Sequence, residues 1–124
     1  MSGTSLNAAV RALVLALSIS LSALAAHAHS PLSSTSPADE AVVAAAPDAI
    51  EMDFRGKARL IRFTLTGAGG DEVVLGKDHL MVEASHHRVV LPPIGAGEFI
   101  AKWRAMSEDG HVLKGGFSFR VGAD

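Results

Sequence analysis

The sequence predicts an all-β domain, a Greek-key β-sandwich or barrel with about seven short strands. Apolar and polar residues alternate with a period of two in several segments, which is the pattern of strands that bury one face. Clusters of Gly, Pro and Asp separate these segments at short intervals, as turns do in sandwiches and barrels. Both observations point to the same fold class.

Four segments show the alternation most clearly. Their apolar faces consist of Ile50, Met52 and Phe54; Ile61, Phe63 and Leu65; Phe99, Ala101, Trp103 and Ala105; and Phe117, Phe119 and Val121. The shorter apolar runs 73–75 and 89–91 fit further strands. Residues 39–46 form the one helix-like stretch, which is short enough to be only a turn. Trp103, on an apolar face, is expected in the core.

Residues 1–28 predict a secretory signal peptide. Arg11 is the only formal side-chain charge before Asp39, and an apolar run of roughly 15 residues follows it. A membrane-spanning helix needs about 20 apolar residues, so a cleaved leader is favoured over a permanent anchor. No second apolar run follows. The mature chain, residues 29–124, is therefore expected to be one small exported domain without stable membrane insertion.

The cleavage position decides which residue begins the mature chain. Cleavage after Ala28 would place small residues where a signal peptidase reads them and leave His29 as the N-terminus. Cleavage after Ala26 would instead place Leu24 at a position where a small residue is preferred. We therefore expect a start at His29, and N-terminal sequencing that begins at His27 would contradict it.

Composition limits the chemistry that the chain can perform. The 124 residues carry a net charge of −2 and include no cysteine. The basic residues are sparse and scattered, so nucleic-acid binding is not indicated. Without cysteine there is no disulfide and no thiolate for a soft metal ion. A metal site would have to use His, carboxylate, Met or backbone groups.

His29 is a candidate metal ligand because a mature N-terminus offers two nitrogen atoms. The α-amine and the imidazole can chelate one ion, and both lose their protons readily to a strong Lewis acid. Copper(II) heads the affinity order of the divalent ions and favours tetragonal nitrogen and oxygen ligands. Taken alone, however, His29 could simply be the residue that follows a cleavage site.

The triplet Asp109-Gly110-His111 is the second candidate. Asp-Gly between two alternating segments predicts a hairpin turn, which explains both residues without any ligand. Residues two apart in an extended chain point to the same side, so Asp109 and His111 could present one oxygen and one nitrogen to a common point. Arg104 or Glu108 could orient Asp109, although both are also plausible as solvated charges.

Three further histidines, His79, His86 and His87, lie between the second and third alternating segments. They could be exposed loop residues or part of a second metal site. Adjacent residues of a strand point to opposite faces, which argues against a metal ion shared by His86 and His87.

Three stretches together resemble the CopC/PcoC family of periplasmic copper-resistance proteins. They read HSPLSSTSPADE from His29, GEFIAKWRAMSEDGH from Gly97 and GGFSFRV from Gly115. They match the family's N-terminal His, Ser-x-Pro-Ala segment, Trp-Arg strand, Asp-x-His triplet and final Gly-x-Phe-x-Phe-x-Val strand. The resemblance is strongest over residues 97–121 and weakest over residues 67–93.

The resemblance implies a Greek-key β-barrel that holds one copper(II) ion. The ligands that it carries over are His29, through its amine and ring, Asp109 and His111. It also implies a periplasmic location and an inner-membrane copper transport protein as partner. One departure concerns copper(I), since some members have a Met-rich loop, whereas the mature chain here has only three scattered methionines, Met52, Met81 and Met106.

Three classes of function follow from these features. The first is a monomeric copper(II) carrier or buffer for copper homeostasis and resistance, which is not an enzyme. The second is a copper-dependent oxidative enzyme with a histidine-brace site. The third is an immunoglobulin-like interaction module without a metal. The carrier is favoured because Asp109 would help to fill the copper coordination and the chain has no Tyr and one Trp with which to grip a substrate.

Overall fold

A computed structural model of the protein describes residues 31–122. They form six strands, listed here in chain order: β1 (Leu32–Ser36), β2 (Ala41–Val43), β3 (Ala49–Gly67), β4 (Glu83–Val90), β5 (Gly97–Ser107) and β6 (Val112–Val121). Within this range there is no helix, and so no helix that could cross a membrane. The predicted all-β fold class is confirmed, with six strands instead of about seven. The signal peptide and His29 lie outside the described residues.

Strand β3 gives the sheet its curl. It is 19 residues long and joins two segments that the sequence pattern separates. Its first part pairs with β1 and β4, and its second part, from Ala58 onward, pairs with β5, while Ala58 and Arg59 also keep partners in β4. The register of β3 against β4 shifts between Asp53 and Ala58, where Gly56 lies. Strands that change partners at such a bend are how small sandwiches and barrels turn their corners.

The β5–β6 hairpin continues the sheet from β3. Its two strands pair antiparallel from Gly97 opposite Val121 to Met106 opposite Val112. Strand β2 then pairs with the outer edge of β6 in a parallel arrangement. The strand order is therefore β1-β3-β5-β6-β2, with β4 as an additional neighbour of β3. This order places the β5–β6 turn near the bend of β3.

Two short segments differ from the prediction. Residues 73–75 are not a strand, because the antiparallel pairing beyond β3 is limited to one bridge between Thr66 and Glu72. Val73 and Leu75 nevertheless pack against the core from a loop. Residues 39–46 contain a turn and strand β2 and no helix, and β1 is a strand that the sequence pattern did not predict.

The core follows the predicted alternation closely. Its buried members are Ile50, Met52, Phe54, Ala58, Leu60, Phe63, Leu65, Val89, Leu91, Phe99, Ala101, Trp103, Ala105, Phe117, Phe119 and Val121. The exception is Ile61, which is only half-buried. A register shift between Leu60 and Arg62 changes the phase of the alternation, so that Leu60 enters the core in its place.

Candidate metal centre

The turn between β5 and β6 holds the predicted Asp-Gly-His triplet. Ser107 and His111 close the hairpin, since the Ser107 backbone N–H donates to the His111 carbonyl at 2.9 Å. The Gly110 N–H donates to the Ser107 carbonyl at 3.0 Å, and Gly110 has a φ of 83°. That left-handed conformation is what a three-residue hairpin loop requires of its glycine. The predicted turn is confirmed, and Asp109 and His111 flank its glycine.

Asp109 and His111 meet through their side chains. Nδ1 of His111 lies 2.9 Å from Oδ2 of Asp109, and the two side chains are 80% and 64% exposed, respectively. The hydroxyl of Ser107 donates to Oδ1 of the same carboxylate. The pKa of Asp109 lies below its ordinary value, first because of this Ser107 hydrogen bond and then because of the His111 backbone N–H. The carboxylate is therefore ionised and open to a cation near neutral pH.

Ser107 is the residue at this turn that the sequence interpretation missed. The sequence suggested Arg104 or Glu108 as the group that orients Asp109. Among the interactions of residues 31–122, neither side chain forms a hydrogen bond or an ion pair with Asp109. Ser107 does so instead and also lies 3.2 Å from the His111 carbonyl oxygen. A serine two positions before an aspartate at a turn is the local signal that could have indicated this, because Ser and Asp side chains bond to groups near them in turns.

A shallow groove beside the turn contains the Asp109–His111 pair. It is also lined by Pro31, the first described residue, and by Phe54, Arg55, Gly56, Lys57, Ser107 and Leu113. The carbonyl of Pro31 accepts a hydrogen bond of 2.9 Å from the Arg55 backbone N–H. The residue directly before β1 thus lies at the same groove as Asp109 and His111.

The core supports this groove from below. Phe54 lines it and is 5% exposed, and the Phe54 ring stands edge-on to Trp103 with the ring centroids 5.2 Å apart. The groove is therefore built where an exposed polar pair meets rigidly packed aromatic residues. The floor of the groove is therefore part of the hydrophobic core.

The other three histidines occupy three different environments. His86 and His87 belong to strand β4 and are not loop residues, and they face opposite sides of the sheet as predicted. His87 is buried, and its Nε2–H donates to the carbonyls of Ala58 at 2.9 Å and Ala84 at 2.7 Å. His79 lies in a turn next to Phe63, and burial lowers its pKa.

His87 has a structural role in this arrangement. Ala58 and Ala84 are the first cross-strand pair after the register shift between β3 and β4. By binding both carbonyls, the His87 ring satisfies backbone acceptors at the irregular part of the ladder. Within residues 31–122, no three His, Asp or Glu side chains are grouped so that they could hold a metal ion.

His86 forms a second His–Asp pair on the outer face of the sheet. Its Nδ1 lies 2.7 Å from Oδ1 of Asp53, and its Nε2 lies 3.5 Å from Glu51. The hydrogen bond with Asp53 raises the pKa of His86, and the same bond, followed by one from Ser34, lowers the pKa of Asp53. Each member of the pair therefore favours the charged form of the other.

This pair predicts a pH-dependent difference in stability between the wild type and His86→Gln. A raised His pKa stabilises the fold at pH values below the ordinary His value of about 6.5, and the contribution disappears as pH rises through the higher pKa of the folded state. We therefore expect the melting temperature of His86→Gln to fall below that of the wild type near pH 5.5 and the gap to close by pH 8.5. Thermal unfolding at both pH values measures this.

The matched control for this prediction is Arg59→Gln, which removes the exposed ion pair between Arg59 and Glu83. The ordinary pKa values of arginine and glutamate side chains lie outside the range from pH 5.5 to 8.5, whereas that of histidine lies inside it. The melting difference for Arg59→Gln should be the same at both pH values. A gap for His86→Gln that widens with pH would contradict the assigned ion pair.

The fold and the groove together define a small all-β domain with an exposed Asp–His pair on a hairpin turn beside Pro31, the residue that precedes β1. The chain belongs to the CopC family, because the family model described as the CopC domain matches residues 32–122. The resemblance found in the sequence is thereby confirmed. No curated protein is similar enough to the chain to count as a match.

Solved structures of copper-resistance proteins share this fold. CopC from Methylosinus trichosporium OB3b is 26% identical with a TM-score of 0.62, and the alignment covers 75% of this chain and 93% of that one. PcoC from Escherichia coli, described as a methionine-rich copper resistance protein, is 28% identical with a TM-score of 0.55. That alignment covers 76% of this chain and 99% of PcoC. The selenomethionine form of PcoC gives 27% identity, a TM-score of 0.54, and coverage of 73% and 97%.

Proposed function

We propose that this protein is a periplasmic copper(II) carrier or buffer in copper homeostasis and resistance. It would hold one copper(II) ion per chain through the α-amine and ring of His29, the carboxylate of Asp109 and the imidazole of His111. The observation that carries the proposal is that Pro31 lines the same groove as Asp109 and His111. Membership of the CopC family supports copper as the metal.

The spacing of the Asp109–His111 pair fits a tetragonal metal ion. First-row ions bind nitrogen and oxygen ligands at about 2.0–2.1 Å. Two such ligands at a right angle are then about 2.8–3.0 Å apart, and copper(II) favours right-angled, tetragonal coordination. The distance of 2.9 Å between His111 Nδ1 and Asp109 Oδ2 falls in this range. A copper(II) ion could therefore bind both atoms with little movement of the turn.

A mature chain that begins at His29 would start close to the groove that Pro31 lines. His29 is two residues before Pro31, and two residues of extended chain span at most about 7 Å. Removal of residues 1–28 would free the α-amine of His29 for the metal. Signal-peptide cleavage would therefore both export the protein and complete its site.

A carrier fits this chain better than an oxidative enzyme or an interaction module. Asp109 would occupy a copper coordination position that an enzyme needs to keep open. The chain has no Tyr, and its one Trp is 5% exposed, so neither residue offers a flat ring to a polymeric substrate. A module without a metal would leave the shared groove of Pro31, Asp109 and His111 unexplained. We further propose that the carrier is monomeric and exchanges copper with an inner-membrane copper transport protein.

The proposal predicts a clear preference for copper(II) over copper(I). Copper(I) is soft and selects thiolates and thioethers. The chain has no cysteine, Met52 is fully buried in the core, and Met81 and Met106 lie exposed outside the groove. The mature protein should bind one copper(II) tightly and lose or markedly weaken its binding on reduction. Competitive titration with a chelator for each oxidation state, under anaerobic conditions for copper(I), measures both.

Trp103 provides an independent signal for the same titration. It is the only Trp of the chain, and its ring contacts Phe54, which lines the groove. Copper(II) bound in the groove should quench its fluorescence with a one-to-one end point. Tight one-to-one copper(I) binding that disappears in Met81→Leu, with copper(II) binding intact, would show that a second site exists.

A further inference from the structure

Four basic side chains lie together on the outer face of the sheet formed by β3, β5 and β6. They are Arg62, Lys102, Arg104 and Lys114, and all four are exposed. Arg62 stands directly opposite Arg104, and Arg104 directly opposite Lys114. Like charges directly opposite each other on neighbouring strands destabilise a sheet. We call these four residues the basic face.

The basic face has no counter-charges of its own. Among residues 31–122, none of its four side chains forms an ion pair. Other cations of the same sheet do so, since Arg59 contacts Glu83 at 3.5 Å and Arg120 contacts Glu98 at 3.9 Å. The chain as a whole carries a net charge of −2, so this concentration of unpaired positive charge runs against its overall balance. Such a concentration of positive charge is suited to binding an anion.

The shape of the face indicates what kind of anion it fits. Gly116 has no side chain and leaves a shallow open groove between the cations. Exposed aliphatic side chains border the face, with Ile100 at 44%, Met106 at 40% and Val112 at 54% exposure. Met106 and Val112 form a cross-strand pair between the cations and the β5–β6 turn. A flat array of cations bordered by aliphatic groups suits a surface whose charged layer covers an apolar one.

We infer that the basic face docks this protein on an anionic phospholipid bilayer. The four cations would lie among the phosphate headgroups, and the bordering aliphatic side chains would contact the boundary of the acyl region. A bilayer is favoured over an acidic protein segment because the exposed aliphatic side chains beside the cations would have an acyl region to contact. This inference goes beyond the copper site and stands on different residues.

Docking of this kind would leave the candidate metal centre open. Asp109 and His111 lie on the turn at the end of the same hairpin, and their side chains remain largely exposed. The protein could then exchange its ion while its sheet lies against the bilayer. Attachment would be reversible and weakened by salt, because the attraction between charges decays within a Debye length.

Vesicle sedimentation with the mature protein tests the inference. The protein should bind vesicles of equal parts phosphatidylglycerol and phosphatidylcholine at about 0.05 M salt, where screening is weak, and not bind pure phosphatidylcholine. Each basic side chain near an anionic bilayer contributes about fivefold in partition coefficient. Arg104→Gln/Lys114→Gln should therefore reduce partitioning about 25-fold.

The matched control is Lys77→Gln/Arg88→Gln, which removes the same charge from exposed positions outside β3, β5 and β6. The control variant should reduce partitioning by much less than about 25-fold. Circular dichroism should show that both double variants are folded. Absence of binding to the anionic vesicles, or an equal loss in the two variants, would overturn the inference. Binding of a polyglutamate peptide in place of the vesicles would assign the face to an acidic protein instead.

Discussion

His111→Ala is expected to lower the copper(II) affinity of the mature protein by about a hundredfold or more, because it removes an imidazole ligand and even the partners of such ligands are worth about 10–100-fold. Asp109→Asn should cost less, since the amide keeps an oxygen in place but loses the charge. Ser107→Ala should have a smaller effect of the same sign, since the carboxylate loses the hydrogen bond that holds it in position. Competitive copper(II) titration of the three variants measures this order.

The chain contains a matched control for this series. His86 and Asp53 form a second exposed His–Asp pair, with Nδ1 and Oδ1 2.7 Å apart, but this pair is not part of the groove that Pro31 lines. His86→Ala should therefore leave copper(II) affinity unchanged. Equal losses in His86→Ala and His111→Ala would show that the protein binds copper(II) through any exposed histidine and has no specific site.

Gly115→Ala is expected to destabilise the fold by about 1–3 kcal/mol, the usual cost of overpacking a core. Gly115 stands opposite Trp103, and a Cβ at residue 115 would lie 2.7 Å from Cζ2 and 2.9 Å from Cε2 of the indole. The indole is buried and packs edge-on against Phe54, so it cannot move aside freely. The melting temperature should fall by roughly 5 °C or more, given the usual sensitivity of a domain of this size.

Gly56→Ala is the control for this steric argument. Gly56 also lies within a strand, its φ is not in the left-handed region, and a Cβ there would meet nothing within 4 Å. Replacing such a glycine restricts the unfolded chain and should leave stability unchanged or raise it by up to about 1 kcal/mol. If Gly115→Ala melts at or above the wild-type temperature, the close packing of Trp103 on β6 is wrong.

Much of the fold could be predicted because period-two alternation reflects burial directly. The faces of β5 and of the end of β6 are buried as their patterns predicted, from Phe99 to Ala105 and from Phe117 to Val121. The prediction was wrong at Ile61, because a bulge adds one residue to the strand and inverts the phase, which alternation alone cannot indicate. Strand β1 was missed because its sequence, LSSTS, has no apolar face.

The candidate site also has one part that could be predicted from the sequence and one part that could not. The contact between Asp109 and His111 could be predicted because it depends only on residues two apart at a turn. The arrival of Pro31 at the same groove depends on the pairing of β1 with β3, in which Leu32 lies opposite Phe54. Such long-range registers are not encoded in local spacing. The sequence suggested the participation of His29 only through the predicted cleavage site and the family resemblance.

The burial of His87 could also have been predicted from the sequence. The opposite orientation of His86 and His87 was predicted and is confirmed, but the inward-facing member was not identified. Val89 and Leu91 follow His87 at intervals of two and are both buried. Extending the alternation backward from them would have placed His87 in the core, where its ring binds backbone carbonyls.

The central claim is that the mature N-terminus is part of the copper(II) site. The most direct measurement compares the copper(II) affinity of a chain that begins at His29 with that of a chain carrying one additional alanine before His29. The additional residue moves the free amine away from the imidazole and abolishes the chelate, while Asp109 and His111 stay as they are. We predict a loss as large as that of His111→Ala. Unchanged one-to-one copper(II) binding by the longer chain would contradict the proposed site.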